Sequence, residues 1–303
     1  MPRLARIFLL CGTLSLAVAG NAQSSYIEQH LHDRLQGKTF LLRGFYSGDQ
    51  LRYDASGVPL RGAISGDWTA DGFVLVTDFH FPHGHLRIQA QRVAVFLEQK
   101  EFHLRPAEQT TRGEKTPVLV ELDVDLGKNS AVEQFDDALA KIFLTDQDYI
   151  ADLLPDYWKP CVPDGLMGRD PGCHFSQDLL TIPGFTPPEN ATSGSATQTE
   201  ELRSSIARRF HVEKGVKPPH LTFNREPEFS ERARQAKYQG TVVLGMTVSN
   251  EGVPTNIHIL SPLGSGLDAQ AVRAVEKWKF DPAEKDGQPV AVEIAVEVDF
   301  HLY

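Results

Sequence analysis

The residues best suited to chemistry by type and spacing are the three histidines of His80-Phe81-Pro82-His83-Gly84-His85. Imidazoles three and two positions apart around a turn could converge on a metal ion such as zinc. Side chains alternate along a hairpin, however, and no carboxylate or cysteine at ligand spacing adjoins them. We therefore interpret them as solvated turn residues and predict no metal and no cofactor. A metal-dependent activity in residues 38–125 is the alternative.

Sequence signatures of catalysis are absent. There is no G-x-S-x-G motif, no glycine-rich phosphate loop and no H-E-x-x-H motif. The adjacent carboxylates Asp136 and Asp137 are expected on the exposed side of a helix, where they would act as solvating charges. Trp278 follows Leu267 and Val275 at helical spacing, which favours a core position over a ligand platform. We predict that the protein is not an enzyme.

The overall charge restricts the class of partner. The 303 residues carry a formal net charge of −10, and no basic run concentrates positive charge. Nucleic acid and anionic membrane surfaces are therefore excluded as main partners, because they would repel an acidic chain. The apolar share of 41% is ordinary for a folded protein, and the length is sufficient for two domains.

The N-terminus has the pattern of an export signal. Arg3 and Arg6 precede an apolar core from Ile7 to Val18, and Gly20-Asn21-Ala22 supplies a small-residue cleavage site. We predict a signal peptide at residues 1–22, with cleavage before Gln23 and a periplasmic location. An uncleaved inner-membrane anchor is the alternative, although the apolar core is shorter than the roughly 20 residues of a membrane span.

Export determines how the cysteines are interpreted. Removal of Cys11 with the signal leaves Cys161 and Cys173 as a pair in an oxidising compartment, which predicts a disulfide. A metal site formed by both cysteines and His174 is the alternative.

Residues 23–160 are predicted to form an antiparallel β-rich domain closed by helices. A weak helix at 25–35 precedes short alternating runs separated by turn signals, and an apolar helical stripe follows at 131–143. Residues 161–211 are predicted as connector and linker, with the small and polar stretch at 184–199 as its clearest part.

Residues 212–303 show the order helix, strand, strand, helix, strand. Two alternating runs flank a turn at Asn250-Glu251-Gly252, and a final alternating run extends from Val290 to His301. Ser230 can cap the first helix. The fold class is therefore α+β, with a three-stranded antiparallel sheet and two helices on one of its faces.

This segment resembles the C-terminal domain of the TonB family of periplasmic energy transducers. The resemblance depends on Leu267-Asp268 with Ala271, on Trp278-Lys279-Phe280-Asp281-Pro282 and on Gly287-Gln288-Pro289-Val290. It extends from about Val216 to the C-terminus. In place of the family's Q-P-x-Y-P, this chain has Glu226-Pro227-Glu228-Phe229-Ser230.

The resemblance implies that an envelope or outer-membrane receptor protein docks through an extended segment, which pairs with the last strand and contacts the residues before the first helix. The partner-binding residues carried over are Val290, Val292, Ile294, Ala295, Val296, Val298, Pro227 and Phe229. Strand addition uses the unpaired backbone groups of a sheet edge. An edge blocked by a second copy or by the N-terminal domain is the alternative.

The family resemblance also implies energy coupling to an inner-membrane motor driven by proton-motive force. Family members span the periplasm with a long proline-rich spacer, whereas this chain has about 15 flexible residues with a mean span of roughly 20–25 Å. A periplasmic scaffold or adaptor without force transduction is therefore the alternative.

Overall fold

The computed structural model describes residues 14–60, 62–82, 84–111, 113–127, 132–159, 161, 173–185 and 215–302. Residues 1–13 of the predicted signal peptide, His83 and most of the predicted connector lie outside these ranges. The elements of the N-terminal part are α1 (Leu14–Leu35), β1 (Thr39–Leu41), β2 (Tyr46–Ser47), β3 (Gln50–Tyr53), β4 (Ile64–Ser65), α2 (Trp68–Asp71), β5 (Phe73–His80), β6 (His85–Glu98), β7 (Glu101–Pro106), β8 (Glu108–Thr111), β9 (Glu114–Pro117), β10 (Leu119–Asp125), α3 (Val132–Ile142), 3-10 turns at Ile150–Asp152 and Asp156–Trp158, β11 (His174–Phe175) and α4 (Gln177–Leu180).

A seven-stranded sheet organises this part. Its order is β1-β5-β6-β10-β3, with β7 beside the second half of β6 and β11 beside β7. The predicted antiparallel sheet is corrected to a mixed one, because β3 lies parallel to β10 and β11 lies parallel to β7. Apolar alternation specifies which face of a strand is buried, but it does not specify the neighbour or its direction.

Helices α1 and α3 cover one face of the sheet. Leu31 and Leu35 of α1 are fully buried against it. Asp136 of α3 lies 3.0 Å from His30 Nε2 and 2.9 Å from Arg34 Nη1, so this carboxylate joins the two helices. The expectation that Asp136 only solvates the surface was therefore wrong. A sequence window shows helical spacing but not which helix lies opposite.

Helix α1 continues without a break across residues 22–23, where the predicted cleavage falls. The signal peptide and its processing stay a prediction. Within the part of the chain that the structure describes, no helix combines the length and the apolar character needed to cross a membrane.

An aromatic cluster covers the other face. Trp68 packs against Trp158 at 5.1 Å between ring centroids and against Phe185 at 6.2 Å. Residues 173–185, assigned from the sequence to a connector, contribute to this core through Phe175, Leu179, Ile182 and Phe185. A disulfide joins Cys161 to Cys173, with 5.7 Å between their Cα atoms. It fastens the start of that segment to the end of the second 3-10 turn.

The C-terminal part has the predicted order of main elements and several short strands besides. Its elements are β12 (Val216–Lys217), β13 (His220–Phe223), α5 (Glu231–Gln235), β14 (Gly240–Val248), β15 (Pro254–Ser261), α6 (Leu267–Val275), β16 (Lys279–Asp281), β17 (Ala283–Lys285), β18 (Gln288–Val290) and β19 (Val292–Phe300). Helix α5 ends at Gln235, and Lys237 adopts φ 52°, which turns the chain out of the helix. The three main strands have the order β15-β14-β19, and all pairings among them are antiparallel.

One hydrophobic cluster runs through both parts of the chain. It includes Phe73 and Val95 of the N-terminal sheet together with Leu244, Met246 and Val275 of the C-terminal part. Residues 215–302 therefore share a buried core with the N-terminal part, although the sequence predicts two separate domains.

Candidate functional site

The hairpin of β14 and β15 establishes the geometry of the candidate site. Ser249 N donates to Val253 O at 3.0 Å across the turn. Gly252 at its tip has φ +77°, and a Cβ there would meet Phe280 O at 1.9 Å. Only glycine fits this close approach. The turn signal in the sequence is thereby confirmed as a hairpin.

Strand β19 lies on the opposite side of β14. The register pairs Val242 with Val298, Leu244 with Val296 and Met246 with Ile294. Among the described residues, β14 is the only strand that pairs with β19. The last strand is therefore an edge strand in that part of the chain.

The hairpin also determines which backbone groups of β19 point outward. Because Ser249 bonds towards β15, the even-numbered residues of β14 direct their N–H and C=O groups towards β19. Their partners, such as Ile294 and Val296, are consequently hydrogen bonded to β14. Ala295 and Glu297 alternate with them and direct their backbone groups to the free edge. An extended chain docking there would find a regular row of donors and acceptors.

The two faces of β19 differ in chemistry. Val298 and Phe300 are buried beneath the helices, and Ile294 and Val296 are half-buried against the same core. Ala295, Glu297 and Asp299 are exposed on the opposite face. The period of two in the sequence is confirmed, with valine, isoleucine and phenylalanine facing inward.

Val290 needs a correction. The predicted last strand began there, but Val290 belongs to β18 and pairs with Ala283 of β17. The turn at Asp286 and Gly287, both at positive φ, folds β18 back onto β17 before the chain enters β19. Five of the predicted partner-binding residues, Val292, Ile294, Ala295, Val296 and Val298, lie in β19.

The segment before α5 lies against the end of β19. Phe229 is half-buried, and its ring contacts that of Phe300 edge-on at 5.4 Å. Pro227 is half-buried two residues earlier. Ser230 then accepts a hydrogen bond from Ala233 N at 3.1 Å, as the predicted cap does. The structure therefore brings Phe229 into contact with the end of β19.

A backbone contact not predicted from the sequence joins this domain to the N-terminal sheet. The loop 263–266 runs along β6 beyond Phe73, the first residue of β5, with Gly264 bridged to Phe96. Leu97 N donates to Leu263 O at 3.0 Å, and Ser265 N donates to Val95 O at 2.6 Å. The glycines at 264 and 266, both at positive φ, are the signal in the sequence that could have indicated this contact.

Buried carboxylates support the same joint. Asp268 is fully buried and accepts hydrogen bonds from Leu263 N at 2.8 Å and from Gly264 N at 2.7 Å. Burial raises the pKa of Asp268 to about 7, and the charge of Asp67 adds to this rise. Asp67 caps α2 and accepts Thr69 N at 2.8 Å, while Gly266 N donates to Thr69 Oγ1 at 2.7 Å. Burial likewise raises the pKa of Asp67.

The candidate metal and ligand residues have other partners. His85 Nδ1 lies 2.9 Å from Asp123 Oδ1 on the neighbouring strand, so it is tied to the sheet rather than freely solvated. His80 lies 3.8 Å from Asp78. No group of three or more potential metal ligands occurs among the residues described. Trp278 is buried, and its Nε1 donates to Arg225 O at 3.0 Å, which confirms its structural position.

Comparisons with known proteins match this C-terminal part. Residues 225–302 match the family model for the Gram-negative bacterial TonB protein C-terminal. Protein TonB of Vibrio cholerae serotype O1 is 32% identical over 87 residues, which are 28% of this chain and 36% of that relative. Protein tonB2 of Pseudomonas aeruginosa is 34% identical over 80 residues, 26% of this chain and 30% of that relative.

The chain spans about a third of the length of these curated relatives. The solution NMR structure of the Pseudomonas aeruginosa TonB CTD is 22% identical and covers 30% of this chain and 89% of that chain, with a TM-score of 0.24. The family assignment depends on the sequence matches and concerns one segment. Residues 225–302 of this chain therefore belong to the TonB C-terminal domain family.

Proposed function

We propose that this protein is an exported cell-envelope protein whose TonB-like domain binds an extended segment of an outer-membrane or envelope partner by strand addition to β19. The single observation that carries the proposal is the position of β19: among the described residues it has a strand neighbour on one side only. The proposed role is binding rather than catalysis.

The backbone of β19 supplies the affinity in this proposal. Ala295 and Glu297 direct N–H and C=O groups away from β14, and an incoming strand would complete the ladder without any special side chain. Ile294 and Val296 add apolar area on the side that faces the helices. The edge thus offers both hydrogen bonding and hydrophobic contact.

The arrangement of the N-terminal part supports an open edge. Its 3-10 turn at Asp156–Trp158 packs against β15, the strand on the far side of β14 from β19. The loop 263–266 also joins the domain to β6, through the bridge between Gly264 and Phe96. We infer that the N-terminal part holds the TonB-like domain while β19 faces outward.

Two versions of the proposed function differ in whether the protein transmits force from the inner membrane. In one, an uncleaved N-terminal anchor couples the protein to an inner-membrane motor driven by proton-motive force. In the other, the mature protein is a periplasmic scaffold or adaptor that transmits no force. N-terminal sequencing of the protein from membrane and soluble fractions separates them, since a chain beginning at Gln23 has no segment through which to receive force.

Substitution of Ala295 by proline tests the docking edge. Proline removes an N–H group that points away from β14, so the ladder between β14 and β19 keeps its hydrogen bonds while an incoming strand loses one. We expect a folded variant that no longer captures an extended peptide, measured by fluorescence anisotropy with a labelled peptide and by circular dichroism for the fold.

Two control variants complete the test. Ala295→Val keeps the N–H group and should keep binding. Ile294→Pro removes an N–H group bonded towards Met246 and should lower the free energy of unfolding itself. Undiminished peptide binding by folded Ala295→Pro would remove β19 as the docking site.

A further inference from the structure

The exposed face of the C-terminal sheet carries charge of one sign. Glu297 and Asp299 are exposed on this face of β19, and Glu293 shares it. Strands β14, β15 and β19 contain no lysine and no arginine. We define these three carboxylates as the acidic row.

The other face of the same strand is apolar. Val292, Ile294 and Val296 are half-buried on the side that the helices cover. A strand paired with β19 places its side chains alternately on these two faces, about 4.5–5.5 Å from the residues directly opposite. One set of its side chains would therefore meet carboxylates, and the other set would meet aliphatic groups.

From this we propose that the segment captured by β19 alternates basic and apolar residues, with lysine or arginine placed opposite the acidic row. The proposal rests on the proposed function, because it specifies the chemistry of the strand that docks there. Opposite charges on directly opposed residues stabilise a strand pair, whereas like charges destabilise it. An acidic or neutral segment would gain the same backbone hydrogen bonds without this contribution.

The acidic row also argues against a second copy of this chain as the occupant. In an antiparallel pairing of two copies centred on Ala295, Glu293 of each copy lies opposite Glu297 of the other. A pairing centred on Glu297 places that carboxylate opposite its own copy. The first register opposes acid to acid twice and the second does so once, at the twofold axis, and each such pair costs free energy. A basic strand from a different protein meets no such penalty.

Three capped octapeptides with one pattern test the inference on the full chain: Lys-Val, Thr-Val and Glu-Val, each repeated four times. At low salt we expect the Lys-Val peptide to bind at least about tenfold more tightly than the Glu-Val peptide, with Thr-Val between them. The preference should shrink as salt is raised, since the row is exposed. Ala295→Pro should weaken all three.

The variant Glu297→Lys assigns the preference to the acidic row. Its ratio of Lys-Val to Glu-Val affinity should fall by about threefold to tenfold. Glu133→Lys makes the same change of net charge at an exposed position of α3 and should leave the ratio unchanged. This variant is the control for the general attraction of a basic peptide to an acidic protein.

The outcomes separate the two proposals. If all three peptides bind with equal affinity and Ala295→Pro weakens their binding, β19 remains the docking site and the charge preference is overturned. Equal falls in the ratio for Glu297→Lys and Glu133→Lys would also overturn it. If no peptide binds, or if Ala295→Pro binds undiminished, strand addition at β19 fails and the charge inference fails with it.

Discussion

Gly264 lies so close to β6 that a Cβ atom on it would come within 2.5 Å of the carbonyl oxygen of Val95. Its φ of +85° is in the left-handed region that side chains disfavour. The close approach lets Ser265 N donate to that same oxygen at 2.6 Å. A glycine of the TonB-like domain thus permits the backbone joint with the N-terminal sheet.

Substitution of Gly264 by alanine should therefore loosen the joint. We expect the free energy of unfolding to fall by about 2–4 kcal/mol, from strain at positive φ and from the clash with a backbone oxygen that cannot move freely. Urea denaturation of the full chain measures the loss. Gly287→Ala is the matched control, since its φ is +77° and no atom lies within 4 Å of its Cβ position. It should lose only about 1 kcal/mol, and equal losses for both variants would contradict the role of the close contact.

The buried carboxyl of Asp268 should make stability depend on pH. Its folded pKa is about 7, above the ordinary value of 3.8. Between these values the unfolded chain has released a proton that the folded chain keeps, so raising the pH lowers stability. The contribution is at most about 1.4 kcal/mol per pH unit and ends above pH about 7.

Asp268→Asn removes this component, because an amide does not titrate. The difference in free energy of unfolding between the original chain and the variant should decline as pH rises from about 4 to about 7 and then become constant. Urea denaturation across this range provides the measurement. Parallel curves for the two proteins would show that Asp268 is ionised in the folded state throughout.

The disulfide between Cys161 and Cys173 should stabilise the fold. The two cysteines are separated by 12 positions and are buried beside the aromatic cluster. A loop of that size contributes about 3 kcal/mol by restricting the unfolded chain. The double variant Cys161→Ala with Cys173→Ala should lose about that much stability in thermal or urea unfolding. A reductant should destabilise the original chain and leave the double variant unchanged; a variant as stable as the original would rule the contribution out.

Sequence patterns predicted the C-terminal sheet well because its order depends on local signals. The turn at Asn250-Glu251-Gly252 and the alternation in β14, β15 and β19 each lie within a dozen residues. The cap at Ser230 is equally local. The start of the last strand was misplaced at Val290, because Val290 and Val292 continue one alternation although they bond to different strands. Alternation indicates which side chains are buried, but it does not indicate which strand is the hydrogen-bonded neighbour.

The chain by itself determined the family of its last quarter, the inward face of the final strand and the pairing of its two later cysteines. Only the tertiary structure decided that Asp136 joins two helices, that residues 173–185 belong to the core and that loop 263–266 completes the edge of β6. These are contacts between residues distant along the chain, and no local pattern specifies which distant groups will meet. They depend on the packing of the whole molecule, which also leaves β19 at the edge of its sheet among the residues described.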